Sequence, residues 1–452
     1  MSAPASADGN AMGIARCNRL CRLTGLVILL AATAICDSHS TLYGDFVQFY
    51  MTGLVDRGGA WDALYPVPVP GSIHNAGNIL DSTQKPQADA IAAAHGVDYV
   101  PYHFILPPPA ALLFWPLGYF NGPTAHRLWL LVSAFAGWAV AVQAGLILQK
   151  CAGRRTRWAG LLTLLIACMP PMRRAIMVAN LTPIIAAIIG WGILSLLDDE
   201  AQLAPAAAIV LGTLMKYAGA VLFPIALLQR RWRTVGWTAV LMVGWGVIAA
   251  VVMGFAPFTE FASVIAPTLG RSHEMSDNIC LTGFLLHAIH RLPPLPAAIS
   301  SVVSIARLLA LAAILLPMIR LGRDRMRDPA TVCAAAMALL AWLLFFSPVA
   351  WSHYLIYLCP LWGWLACPTE KNRLRIALAW IAMGMIVLSP DQMPAPAIDP
   401  WGFHLLLSLA IMLGLGITDL YRATPRKYLI RPRPSKAFEW TARLSGHSAA
   451  TV

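Results

Sequence analysis

Apolar runs close to the ~20 residues needed to cross a bilayer recur from one end of the chain to the other. They lie near 23–40, 104–121, 125–149, 158–172, 181–197, 206–228, 236–254, 298–319, 330–346, 351–367, 375–390 and 402–421. Short basic runs or Pro/Gly-rich stretches separate them, which predicts an all-α polytopic membrane protein of about twelve spans. The first run follows RCNRLCR and has the form of a signal peptide. Ile35 before Cys36 does not suit a lipoprotein cleavage site, however, and the chain keeps re-entering the membrane, so the segment reads as an uncleaved anchor.

Three stretches break the apolar pattern: a loop near 41–103, a second near 255–297, and the corner FFSPVAWSHYL at 345–355. In the first, DFVQFYMTGLVDRGG places apolar and aromatic residues at helical spacing, predicting an interfacial helix that ends at Gly58-Gly59. Asp45 falls near its start, where a carboxylate also serves as an ordinary helix cap. Residues 67–98 are rich in Pro, Gly and small side chains and read as an irregular excursion, with His74, Asp81, Asp89 and Asp98 in solvent. The three prolines at 107–109 forbid a regular helix where the chain returns to the membrane.

Composition agrees with the membrane reading: 58% of residues are hydrophobic and 12% charged, against about a quarter charged in soluble domains. Cytoplasmic loops retain Lys and Arg. With both termini inside, the alternation assigns to the cytoplasmic side Arg16, Arg19, Arg22, Arg127, Arg173, Arg174, the RRWR cluster, RLGRDRMRD, KNRLR and the tail. It divides the chain into a cytoplasmic segment 1–22, a transmembrane domain 23–421 and a basic cytoplasmic tail 422–452. One run, KCAGRRTR at 150–157, falls outside in this scheme, so the second to fifth segments are expected to include a re-entrant piece. The net charge of +12 therefore reports topology, with the tail against anionic membrane lipids, and does not imply a nucleic-acid partner. Nine cysteines give neither a disulfide framework nor zinc-ligand spacing. No Walker or Rossmann loop and no D-x-D pair occurs, so neither a cofactor nor a metal is expected.

Taken in order, several stretches resemble bacterial glycosyltransferase family 87. They are DFVQFYMTGLVDRGGAWDALYP, YHFILPPPAALLFWPLGYF, ANLTPIIAAIIGWGILSLL, LMKYAGAVLFPIALLQRRWR, DNICLTGFLLHAIHR and SPVAWSHYLIYLCP, spanning about 44 to 360. Departures from the family pattern are Ala179-Asn180 for the usual Gly-Gln, Asp277-Asn278-Ile279 for Asn-Gln-Ser, and Tyr354 for the second His of a pair. The resemblance implies a GT-C-type bundle in the plasma (inner) membrane whose active site faces the extracytoplasmic, periplasmic side. It further implies a polyprenyl-phosphate-linked hexose donor, mannose first, and a lipid or glycan acceptor.

On that resemblance Asp45 is the general base of an inverting transfer, which needs no second carboxylate because phosphate leaves as a stable anion. The leaving phosphate needs cations or donors, for which His353, Lys216, Arg271, His273 and Arg291 are the candidates. Lys216 is expected well inside its span, where a charge needs a cavity or a partner, and Arg307 is expected to snorkel. Tyr50, Asn180, Asn278 and Trp351 are candidates for acceptor or sugar contacts. A lipid or solute transporter is the competing reading, although the related halves typical of transporters are not visible in the sequence.

Overall fold

The computed structural model describes residues 6–39, 45–68, 82–83, 85–97, 104–153, 156, 158–269, 278–289, 295–367, 373–389 and 403–424. Helices make up nearly all of it, with one two-residue antiparallel pairing of Val67–Pro68 against Ser82–Thr83. Five helices are long and apolar enough to cross a membrane: Gly13–Asp37, Gly122–Ala152, Trp232–Met253, Ala297–Arg325 and Phe403–Ala423. A sixth crossing comes from Trp158–Cys168 and Pro170–Met177 if this pair, bent by 45°, counts as one span. The chain is thus an all-α membrane protein.

Local sequence explains the helix ends. Asn121 accepts a bond from the Thr124 amide (2.9 Å), and Asp328 accepts one from the Thr331 amide (3.0 Å), each with proline in the first helical turn. Side-chain oxygen and proline at those positions are the ordinary start of a helix. Pro329–Phe345 is buried on nearly every side and forms the centre of the bundle. By contrast, Trp232–Met253 and Ala297–Arg325 turn most of their apolar side chains outward, Val243, Val251, Ile305 and Leu308 among them. In a membrane protein these are the faces that meet lipid.

Two of the expected spans are corrected. Residues 104–121 do not form one helix: a single turn at Pro108–Ala111 and a 3₁₀ segment at Trp115–Tyr119 fold back against the Phe46–Gly58 helix. Prolines 107–109 lack the N–H donors that a continuous helix needs. Conversely, 206–228 is not one span but a hairpin. Leu203–Lys216 ends at Tyr217 with φ 60°, and Ala218–Leu222 and Phe223–Leu228 lead back along it. The two limbs touch through glycine, since a Cβ on Gly212 would lie 2.9 Å from the Gly219 Cα.

Removing 104–121 as a crossing reverses the sidedness of the chain from there to the hairpin. Asp45 donates its amide to the Val178 carbonyl (2.8 Å), and Arg127 pairs with Asp37 (3.0 Å). Arg127, Arg173 and Arg174 therefore lie at the Asp45 end of the bundle, not opposite it as the alternation required. Thr156 and Gly160 go with the N-terminal segment instead, because the Asn18 amide donates to the Thr156 carbonyl (3.0 Å) and its oxygen accepts from the Gly160 amide (3.0 Å). Lys150 and Thr156 are thereby on the side of Arg16, Arg19 and Arg22, and the other cations of that run, Arg154, Arg155 and Arg157, lie outside the described residues.

Another basic cluster closes the hairpin's far end. Arg231 of RRWR is buried and donates to the carbonyls of Leu196 (2.9 Å), Asp198 (2.8 Å) and Ala201 (3.0 Å). It satisfies carbonyls that the end of the Thr182–Leu196 helix leaves unpaired, as a cation at a helix C-terminus does.

Candidate active site

The Phe46–Gly58 helix forms as its spacing predicts and stops at Gly59, which adopts φ 65°. Its first residues are held by an aromatic cluster: Phe46 stacks near Tyr50 (5.6 Å) and His126 (5.3 Å), and Phe49 stacks on Trp129 (5.1 Å). Further along, Gly53 brings the helix backbone against Phe114 and Gly118, and Arg57 donates to the Gly118 carbonyl (2.9 Å). The helix is therefore fixed in both rotation and height.

Asp45 stands at its start without making a cap: no side-chain bond runs from it to the helix. Its carboxylate is instead turned across to Asn180, whose amide nitrogen donates to Oδ2. The Asn180 oxygen accepts from the Thr182 amide (2.9 Å) and hydroxyl (2.5 Å), which leaves only the NH₂ to face Asp45. Burial raises the Asp45 pKa above the ordinary 3.8, and the Lys216 charge, the Asn180 bond and the Arg174 charge work against that rise.

Lys216 is the last residue of its helix, at the apex of the hairpin, which corrects the expectation of a mid-span lysine. Its Nζ sits over the Tyr354 ring, 4.2 Å from the centroid, a cation–π contact. His353 is buried against the edge of the same ring (4.8 Å), and neither of its nitrogens has a hydrogen-bond partner among the described residues. Lys216 and Arg174 are in electrostatic reach of both Asp45 and His353. The structure thus brings Asp45, Asn180, Lys216 and His353 into one constellation. It adds Arg174, which sequence reading missed because the mistaken crossing at 104–121 put it on the other side.

Two left-handed residues frame this cluster. Ala179 (φ 48°) precedes Asn180 and Tyr217 (φ 60°) follows Lys216, and a side chain in that region costs about 1–2 kcal/mol. The Trp129 indole donates to the Ala179 carbonyl (2.8 Å) and holds the first of them. The sequence carried a signal for it: Ala179 stands where the family pattern usually has glycine.

The remaining candidates separate. Tyr50 is buried and donates its hydroxyl to the Phe120 carbonyl (3.0 Å). Asn278 and Trp351 pair as an isolated antiparallel bridge, and the Asn278 oxygen accepts from the Ala350 amide (2.9 Å). That pairing ties the 255–297 loop to the 345–355 corner that carries His353. Arg307 lies over the Trp342 ring (5.5 Å). Arg271, His273 and Arg291 lie outside the described residues, as do His74, Asp81 and Asp98. Among the described residues no three His, Cys, Asp or Glu side chains gather as metal ligands.

A helical membrane protein with a carboxylate held by an amide, beside two cations at one end of the bundle, has the machinery to move a proton next to a departing anion. A family model for glycosyltransferase family 87 matches residues 104–348, more than half of the 452 residues, and the chain belongs to that family. It is accordingly a membrane glycosyltransferase. The matched region contains Arg174, Asn180 and Lys216, while Asp45 and His353 flank it. None of the curated proteins matches the chain.

Proposed function

We propose that the chain transfers a hexose, mannose first, from a polyprenyl-phosphate-linked donor to a glycolipid or glycan on the extracytoplasmic face of the plasma membrane. The observation that carries this reading is the Asp45 carboxylate, half-buried and held by Asn180 on one oxygen, within reach of Lys216 and Arg174. Oδ2 is occupied by Asn180, so Oδ1 receives the proton of the acceptor hydroxyl. The acceptor oxygen attacks the anomeric carbon, the bond from that carbon to the phosphate oxygen breaks, and polyprenyl phosphate leaves with the electron pair. Lys216 and Arg174 oppose the charge that develops there, and the unpartnered His353 nitrogens offer a hydrogen bond. Attack from the side opposite the leaving phosphate inverts the sugar. Arg271, His273 and Arg291 belong to the loop proposed to cover the donor phosphate, and Tyr50, Asn278 and Trp351 to the walls of the site.

The corrected topology supports the same placement. Dropping 104–121 and counting 203–228 as two passes again gives twelve, with both termini cytoplasmic and Asp45 on the opposite side. The test is reconstitution with a radiolabelled polyprenyl-phosphate hexose and extracted membrane acceptors. New covalent product is expected. Label that crosses the bilayer without forming a glycosidic bond would identify a transporter instead.

A further inference from the structure

Asp45 and Lys216 act on each other electrostatically, yet among the described residues no ion pair within 4.0 Å joins them. Each is held by a third group: Asn180 donates to the carboxylate, and the ammonium lies over the Tyr354 ring, 4.2 Å from its centroid. The separation has chemical weight. A direct pair would occupy the oxygen that must take the acceptor's proton, and would neutralise the charge that must oppose the leaving phosphate. Asp45, Arg174, Lys216 and Tyr354 are each partly exposed, so none of the four is sealed inside the bundle.

The Tyr354 ring is clamped. Its amide donates to the Trp351 carbonyl (2.9 Å), Tyr357 stacks on it (5.7 Å between centroids, 22° between planes), and His353 meets it edge-on (4.8 Å, 86°). The corner that carries it is tied across the chain, since the Ile279 amide donates to the Ala350 carbonyl (2.7 Å). The backbone of Lys216 is equally tethered, because Tyr217 turns out of the helix at φ 60° and donates its amide to the Thr213 carbonyl (2.9 Å). What stays adjustable is the flexible four-carbon stem of the lysine, and the ring face selects among its rotamers. Tyr354 stands where the family pattern usually has the second histidine of a pair, so this contact is a feature of the present chain. A tyrosine face attracts a cation, whereas a protonated imidazole would repel it.

Resting on the transferase reading above, we infer that Tyr354 is a positioning residue of the transfer: its ring face holds the Lys216 ammonium off Asp45 and leaves N–H donors free for the leaving phosphate. Lysine carries three donors, and a ring takes up one side of the ammonium, so the far side remains for oxygen. Without the ring the lysine swings onto the carboxylate, and the base and the cation are lost together. Tyr354 acts through Lys216 and makes no bond to sugar or phosphate.

The experiment uses the full chain in lipid nanodiscs, with a polyprenyl-phosphate mannose donor and extracted membrane acceptors, and reads kcat. Tyr354→Leu is expected to fall about 5- to 30-fold, the worth of a cation–π contact out of water. Tyr354→Phe keeps the ring face and is expected to stay within about twofold of the wild type. Trifluorophenylalanine at position 354 keeps the shape of Phe but drains electron density from the face, and is expected to fall with Leu. In a Lys216→Met background Tyr354→Leu is expected to cost nothing further, because the group it would release is gone. Equal losses from Tyr354→Leu with and without Lys216, or a trifluorophenylalanine enzyme as active as Tyr354→Phe, would overturn the inference. Should Tyr354→Leu fail to fold, the trifluorophenylalanine enzyme decides alone. A wild type that forms no glycosidic product would overturn the transferase reading, which is a different result. The hold on Lys216 is then read from melting temperatures: Tyr354→Leu lowers them more with Lys216 present than with Met in its place if the ring holds the lysine, and equally if it does not.

Discussion

Gly53→Ala is expected to disable the enzyme from eight residues away. A Cβ at position 53 would stand 2.5 Å from the Phe114 carbonyl oxygen and 2.8 Å from the Gly118 nitrogen, both backbone atoms. Ordinary contact begins at 3.4 Å, so the helix and the 114–118 segment must part by roughly 1 Å. Backbone on both sides cannot rotate out of the way as a long side chain would, and the Phe46–Gly58 helix transmits the shift to Asp45 at its start. Misplacing a reacting group by about 1 Å costs on the order of 100-fold in rate. The assay is turnover of a labelled polyprenyl-phosphate sugar, paired with the melting temperature of the purified variant. Gly58→Ala in the same helix is the control: nothing lies within 4 Å of its added Cβ, and alanine favours a helix over glycine by about 1 kcal/mol. A folded Gly53→Ala enzyme with activity within two-fold of the wild type would refute the claim that this glycine contact sets the position of Asp45.

Ala179→Gly should raise the melting temperature slightly, because it relieves about 1–2 kcal/mol of left-handed strain less the roughly 0.4–1 kcal/mol that glycine's freedom returns to the unfolded chain; a drop would contradict the strain. Activity should fall as pH falls with a midpoint above 3.8, since Asp45 must be ionised to accept a proton and burial raises its pKa. The same raised pKa has the opposite sign for stability: the contribution is fully present below the unfolded-state value and is lost as pH rises through the folded one. Turnover in excess chelator should equal turnover without it, and its loss would point to a metal that the reaction as derived does not use.

Much of this site was legible in the chain, and what escaped did so for identifiable reasons. The helix at 46–58 was readable because its aromatic spacing and the Gly58-Gly59 stop are local signals. Asn180, Lys216 and His353 were readable because the resemblance to the family pattern pointed to them, and Lys216 also because a charge in an apolar run needs a partner. Arg174 was not, since sidedness comes from counting crossings, and an apolar run such as 104–121 has the length of a span whether it crosses or folds back. The prolines at 107–109 carried the deciding information, but a count of apolar residues gives them no weight. Lys216 was misplaced for the converse reason: 206–228 is long enough for one crossing, and the turn rests on Tyr217 in a conformation that its residue type does not announce. The bond from the Ala350 amide to the Asn278 side-chain oxygen was not readable either, because it joins residues 72 apart and no local pattern reveals it.

The most direct test of the account is the turnover of Asp45→Asn against wild type in nanodiscs, with polyprenyl-phosphate mannose as donor and membrane glycolipid as acceptor. The substitution keeps the shape and removes the proton acceptor. The account predicts a fall of roughly 100- to 10,000-fold with the melting temperature and donor binding preserved. Activity within a few-fold of the wild type would contradict it.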